Sequence, residues 1–322
     1  MKVLITDRFH DTVYQQMLVN PDLEITRSEF QDLKPKDLEG VEGLLIRSKT
    51  RLSEELLTKA KDLQWIITTT SGFDHIDVEA AKKMQIKTYY CPEANLYSAS
   101  ELTIQLMLRL LRKTKACDKL IKSGSWNRES VKGEELYGKS LGIFGLGRIG
   151  TQVAKLADAF GMKVFACDPY TEKEPAPYVE MIGAEELLRI CDIISLHVPK
   201  TKRTTRMLKA VHFEAMNDDA IIINCSRGNL ISEAELVTAL NQNQLRGAAL
   251  DVFEKEPATP ESELLNHPKV ICSPHIGGNT KEAFLRGSED AYEKIKLILD
   301  GKAPKDELPP KDLWYLESIG KL

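Results

Sequence analysis

Short apolar runs alternate with longer stretches of mixed polarity along most of the chain. A first series falls at 2–6 (KVLIT), 23–26, 43–46 (GLLI), 65–69 (WIITT) and 86–90. A second falls at 141–144 (LGIF), 163–167 (KVFAC), 192–196 (DIISL), 220–224 (AIIIN), 246–250 and 270–272. Runs of this length, rich in β-branched and aromatic residues, read as strands, and the spacers between them read as helices that cover a parallel sheet on both faces. The fold class expected is therefore α/β, with two doubly wound parallel-sheet domains and a cleft between them.

Residues 98–123 interrupt this rhythm with one long helical stretch. Ser98-Ala99-Ser100-Glu101 has the form of a capping box at its start, and Leu102, Ile104, Leu106, Met107, Leu108, Leu110 and Leu111 make it apolar on most sides. Such a helix is expected to be buried, either between domains or against a second subunit. A further helical pattern covers about 280–299, and a tail with Pro304, Pro309 and Pro310 ends in Trp314, Tyr315 and Leu316. If that tail returns to the first domain, the chain crosses between domains twice. The domains expected are 1–98 plus 289–322, and 99–288.

Composition narrows the function classes. The 322 residues are 42% hydrophobic and 29% charged, with a net charge of −4, so no large basic field exists to attract nucleic acid or anionic lipid. The basic run Lys200, Lys202, Arg203, Arg206 and Lys209 reads as a solvated charge cluster, and nucleic acid is not an expected partner. No run reaches the ~18 apolar residues of a membrane span, and the amino terminus lacks a signal-peptide core. The six cysteines, at 91, 117, 167, 191, 225 and 272, have no C-x-x-C spacing and several lie in apolar runs. They read as reduced thiols in a cytoplasmic protein. His10, His75, His212 and His267 have no partner at metal-ligand spacing, so no metal is expected.

The strand at 141–144 runs directly into Gly145-Leu146-Gly147-Arg148-Ile149-Gly150 and then into a helical stretch. In that context G-x-G-x-x-G signals dinucleotide binding. Gly145 permits the tight turn, Gly147 lets a pyrophosphate approach the backbone, and Gly150 lets helix and strand pack closely, with the helix amino terminus facing the phosphates. Asp168 lies eighteen residues past Gly150, at the end of the next strand. There it can accept from the ribose hydroxyls and repel a 2′-phosphate, which favours NAD over NADP. The second domain is thus expected to be a Rossmann-type cofactor domain, and the first a flavodoxin-like substrate domain.

Arg227 follows the strand ending at Asn224, Glu256 follows the strand near Leu250, and His275 follows the strand ending at Cys272. Loops after successive parallel strands share one sheet edge, the edge that also holds the cofactor. A guanidinium can hold a carboxylate, an imidazole can exchange a proton with a carbonyl oxygen, and a carboxylate can orient that imidazole. Together these groups supply what hydride transfer at C2 of a 2-keto or 2-hydroxy acid needs. Cys225, close by, reads as a buried small side chain, because hydride transfer needs no covalent intermediate.

These segments resemble the D-isomer-specific 2-hydroxyacid dehydrogenase family. GIFGLGRIG, INCSRGNLI, ALDVFEKEP and SPHIGG look like its signature motifs, and the likeness extends to SGFDHID at 71–77, the Glu101 helix and HVPKT at 197–201. The resemblance implies that Arg227, Glu256 and His275 are the catalytic trio. It implies that Asp251 binds the nicotinamide carboxamide, and that Arg148, Ile149, His197, Val198, Pro199, Thr204, Cys225, Ser226 and Gly277 line the NAD site. It also implies that Ser71 and Gly72 offer backbone N–H groups to the substrate carboxylate. A homodimer is expected from the apolar helix at 98–123. An alternative of another class is a binding protein that senses the redox state of NAD. It would keep the glycine loop without needing Glu256 and His275 together.

The strand GLLI is followed by Arg47-Ser48-Lys49-Thr50, where a cation and a hydroxyl can receive a distal anion. LLIRSKTRLSEELL and the stretch from Gly124 to Gly150 resemble the D-3-phosphoglycerate branch of the family, whereas SGFDHID is closer to glyoxylate and hydroxypyruvate reductases. The expected substrate is 3-phosphoglycerate, with glyoxylate or hydroxypyruvate as the alternative. The chain ends before any appended regulatory domain, so feedback through one is not expected.

Overall fold

A computed structural model describes residues 1–28, 32–171 and 175–319, and its chain divides into two compact units, 1–98 with 278–322, and 99–277. In the first unit β1 (Lys2–Ile5), β2 (Glu24–Arg27), β3 (Gly43–Ile46), β4 (Trp65–Thr68) and β5 (Lys87–Tyr90) pair in parallel, in the order β5-β4-β3-β1-β2. That order is flavodoxin-like. Every residue of β3 and β4 is buried, which is why these strands read as unbroken apolar runs instead of alternating.

The second unit carries β6 (Ser140–Phe144), β7 (Lys163–Cys167), β8 (Val179–Met181), β9 (Ile193–Leu196), β10 (Ile221–Asn224), β11 (Gly247–Leu250) and β12 (Val270–Cys272). They form one parallel sheet in the order β12-β11-β10-β9-β6-β7-β8. This is the Rossmann order with one strand added. The sequence counts six strands here and misses β8, whose three residues carry Glu180 at the centre and show no apolar run.

The tail does return to the first unit, but in the opposite sense to the other strands. Its strand β13 (Glu307–Leu308) pairs antiparallel with β5 and covers that edge of the sheet. The second boundary also differs from expectation. The sequence places it at 288/289, whereas the structure gives helix Lys281–Leu299 wholly to the first unit. The cause is packing: Ala291 and Ile295 are buried in one cluster with Val3, Ile5, Trp65 and Tyr89.

The single helix expected over 98–123 is two. Leu96–Arg112 ends before Lys113, whose φ of +51° turns the chain, and Thr114–Lys122 follows. Ser98 and Glu101 lie inside the first helix, so they form no capping box at its start. Ile104, Leu106, Met107 and Leu111 bury that helix against the second sheet, whereas Thr114–Lys122 buries no residue.

Candidate active site

The glycine loop sits where the second sheet reverses its strand order, between β6 and β9. Gly145 has φ +91°, and a Cβ there would stand 2.6 Å from the carbonyl oxygen of His197 at the end of β9. A Cβ on Gly150 would stand 2.0 Å from the carbonyl oxygen of Gly145, so helix Arg148–Ala159 starts directly against the strand. A Cβ on Gly147 would meet nothing within 4 Å. The space over that residue is open, as a bound pyrophosphate requires. No side chain caps this helix, and its first backbone bond runs from Thr151 N–H to Gly147 O. The preceding N–H groups of the first turn therefore suit an anion.

Asp168 follows β7 and ties itself to the same loop. Its Oδ2 accepts from Leu146 N–H at 2.8 Å, and Oδ1 accepts from Tyr170 N–H at 2.9 Å. A carboxylate has lone pairs beyond these two, so it can still receive ribose hydroxyls. The open, anion-ready loop and the fixed acid beside it fit a dinucleotide. Behind the loop, half-buried His197 has its Nε2 2.8 Å from Ser195 Oγ, and desolvation pulls its pKa down to about 4, so the ring is neutral. Ser226 Oγ donates to Val198 O at 2.7 Å, and Thr204 Oγ1 donates to Pro199 O at 2.7 Å. These two hydroxyls brace the chain after β9. Burial pushes the Cys225 thiol up to about 12, which makes it inert at neutral pH.

Three adjacent strands deliver the ionisable groups. Arg227 follows β10, Glu256 follows β11, and His275 follows β12. His275 Nδ1 lies 2.7 Å from Glu256 Oε2, and both side chains are exposed. The hydrogen bond to Glu256 raises the His275 pKa, outweighing desolvation, and the nearby Arg227 charge opposes it. Burial works to raise the pKa of Glu256, yet hydrogen bonds from His275 and from Phe253 N–H, with the charges of His275 and Arg227, hold it below the ordinary value. Arg227 Nη1 donates to Ser226 O at 2.8 Å, and Asn224 Nδ2 donates to Arg227 O at 2.9 Å. The guanidinium, carboxylate and imidazole thus share one electrostatic neighbourhood, with the ring's Nε2 left for a substrate.

Asp251 is tied to the turn that carries His275. It is fully buried, and its oxygens accept from Ser273 Oγ at 2.6 Å, Ile276 N–H at 2.9 Å and Gly277 N–H at 2.7 Å. These donors lie on both sides of His275 in the chain. Ser273 is a residue the sequence did not single out. The signal was slight: one hydroxyl two positions ahead of the histidine, at a strand end.

In the first unit, Arg47 follows β3 at the point where that sheet reverses order between β1 and β3. Its Nη1 donates to Thr69 Oγ1 at 3.3 Å and its guanidinium lies 5.1 Å from the centre of the Phe284 ring. Burial lowers its pKa, partly offset by Asp7, but an arginine keeps its charge. Ser48 beside it is exposed, and Ser71 and Gly72 follow β4 half-buried, with Gly72 O accepting from Thr70 Oγ1 at 2.8 Å. His75 is packed with its Nε2 3.0 Å from Thr68 Oγ1. In the basic run, Arg206 makes two hydrogen bonds to Glu254, and Arg203 donates to Tyr170 Oη.

Comparison with known proteins supplies the family. Residues 104–277 match the model described as D-isomer specific 2-hydroxyacid dehydrogenase, NAD binding domain. A D-3-phosphoglycerate dehydrogenase of Methanocaldococcus jannaschii is 37% identical over 100% of this chain and 62% of its own length. One from Bacillus subtilis is 36% identical over 93% of this chain and 57% of its own. The chain thus spans little more than half the length of these curated relatives. Among solved structures, D-lactate dehydrogenase from Aquifex aeolicus, complexed with NAD and lactic acid, has a TM-score of 0.84 at 30% identity, covering 94% of this chain and 96% of that one. A protein from Thermus thermophilus has a TM-score of 0.88 at 33% identity, covering 96% of this chain and 100% of that one. With the domain match extending over the glycine loop and the strands that bear Arg227, Glu256 and His275, the chain belongs to the D-isomer specific 2-hydroxyacid dehydrogenase family.

Proposed function

We propose that this chain transfers a hydride between NAD and C2 of a D-2-hydroxy acid or its 2-keto partner, with 3-phosphoglycerate as the substrate. The observation that carries this reading is the Glu256–His275 pair beside Arg227, at the strand ends next to the glycine loop. Bound NAD supplies or takes up the hydride, held by Gly145 to Gly150 and Asp168. Arg227 holds the substrate carboxylate. In reduction, protonated His275 gives its Nε2 proton to the C2 oxygen as that oxygen becomes an alcohol. In oxidation the neutral ring takes the proton back. Glu256 keeps Nδ1 occupied, so Nε2 is the reacting nitrogen and the imidazolium is stabilised. Ser71 and Gly72 are assigned to the carboxylate, and Arg47 with Ser48 to the distal phosphate.

Oxidation of NADH by the purified protein against phosphohydroxypyruvate, hydroxypyruvate, glyoxylate and pyruvate tests this. The phosphorylated acid should give the highest kcat/KM. A higher value with glyoxylate or hydroxypyruvate would move the assignment to that branch. NADH binding without turnover of any acid would make the chain a redox-sensing binder.

The working form is assigned as a homodimer in the cytoplasm. Helix Thr114–Lys122 buries nothing, Ile121 is 49% exposed and Trp126 74% exposed, an apolar face that a second copy can cover. Light scattering should give twice the chain mass, and Trp126→Glu with Ile121→Glu should halve it. The described residues contain no helix long and apolar enough to cross a membrane. All six cysteines are free, as suits a reducing compartment.

A further inference from the structure

His275 has a backbone conformation that few non-glycine residues adopt, with φ +52°. The turn that imposes it is wrapped around one residue. Ser273 N–H donates to Leu250 O, and His275 N–H donates to the carbonyl oxygen of Asp251 at 2.8 Å. The Asp251 carboxylate accepts from residues on both sides of the histidine, Ser273 before it and Ile276 and Gly277 after it. Asp251 is fully buried and Ser273 only 8% exposed, so water does not compete for these bonds. A strained conformation persists only where its surroundings over-determine it.

We propose that Ser273 and Asp251 are positioning residues for His275, the hydrogen bond from Ser273 Oγ to Asp251 Oδ1 holding the turn that keeps the imidazole Nδ1 on Glu256. The assignment rests on the proposed catalytic role of His275.

Electrostatics separates this role from simple packing. The charged groups acting on the imidazole are Glu256, Asp251 and Arg227. Glu256, through its hydrogen bond to Nδ1, has the largest effect and favours the imidazolium. A turn loosened by loss of Ser273 Oγ or of the Asp251 carboxylate lets Nδ1 leave Glu256, which disfavours the imidazolium.

The test is the titration midpoint of the His275 ring, followed by NMR in the NAD-bound protein, with His275→Ala identifying the signal. It needs no turnover. In Ser273→Ala the midpoint should fall by about half a pH unit, and in Asp251→Asn by at least as much. Loosened packing alone lowers the melting temperature and leaves the midpoint where it is in the wild type. If Asp251→Asn does not fold, Ser273→Ala decides: a midpoint unchanged or raised overturns the proposal. Where the wild type turns over a 2-keto acid, kcat in Ser273→Ala should drop about tenfold with KM for NADH unchanged. A wild type without turnover would count against the proposed function, while the NMR result still decides the positioning role.

Discussion

Glu256 Oε2 lies 2.7 Å from His275 Nδ1 and lifts the imidazole's proton affinity above its ordinary value. Reduction of a keto acid needs the imidazolium, so kcat/KM in that direction should fall as pH rises through the raised pKa. Oxidation needs the neutral ring, so it should gain over the same interval. Glu256→Gln removes the main raising influence and should move both limbs to lower pH. Limbs that stay in place would show that His275 is not the proton carrier. His275→Ala should lose about 10²- to 10⁴-fold in kcat while still binding NADH.

Asp168 Oδ2 holds Leu146 N–H of the glycine loop. Asp168→Asn keeps the shape but removes the charge that, in the proposed role, repels a 2′-phosphate. The kcat/KM ratio for NADH over NADPH should fall about tenfold or more. An unchanged ratio would mean that another group chooses the coenzyme.

Arg47 is held by Thr69 and by the face of Phe284, which presents a charged plane at the reversal point of the first sheet. Arg47→Ala should raise KM for phosphohydroxypyruvate about tenfold or more while barely affecting hydroxypyruvate, as loss of a charge-assisted contact implies. Equal losses on both substrates would remove the phosphate assignment.

His197 is neutral because burial depresses its pKa to about 4, against an ordinary 6.5. Between those values the unfolded chain binds the proton that the folded chain refuses, so stability is complete above 6.5 and drains away as pH falls toward 4. The span corresponds to up to about 3 kcal/mol. Urea unfolding at a series of pH values should show this slope in the wild type and a shallower one in His197→Gln.

Lys294, with its side chain 5% exposed, is paired with Asp290 and Asp306. Lys294→Met would leave two carboxylates facing each other without a cation. Because the carboxylates are 39% and 33% exposed and water can solvate them, the loss should be about 1–3 kcal/mol, below that of a fully buried pair, readable as a lower urea midpoint. A midpoint within error of the wild type would show that the pairs contribute nothing.

The parallel strands were legible because both their faces are covered, so β3, β4, β9 and β10 are apolar at nearly every position. The nearness of Arg227, Glu256 and His275 was legible because strand ends in a parallel sheet share an edge, which turns distance along the chain into nearness in space. The short strand β8 and the antiparallel β13 were not, since neither is long enough to leave a periodic signal. The break at Lys113 was hidden too, because an ordinary lysine there takes a left-handed conformation that the surrounding helical pattern does not announce. Nor could the sequence assign Asp251 its part in the His275 turn, which depends on where Ser273 Oγ and two backbone N–H groups point.

The first unit is assembled from both ends of the chain, with Ala291, Ile295 and β13 completing a core begun by Val3 and Ile5. On the ribosome, residues 99–277 emerge whole before that core has its last wall. The coenzyme-binding half can therefore fold while the amino-terminal strands still wait, their apolar face around Trp65 and Tyr89 uncovered. During that interval they are the part of the nascent protein most in need of a chaperone.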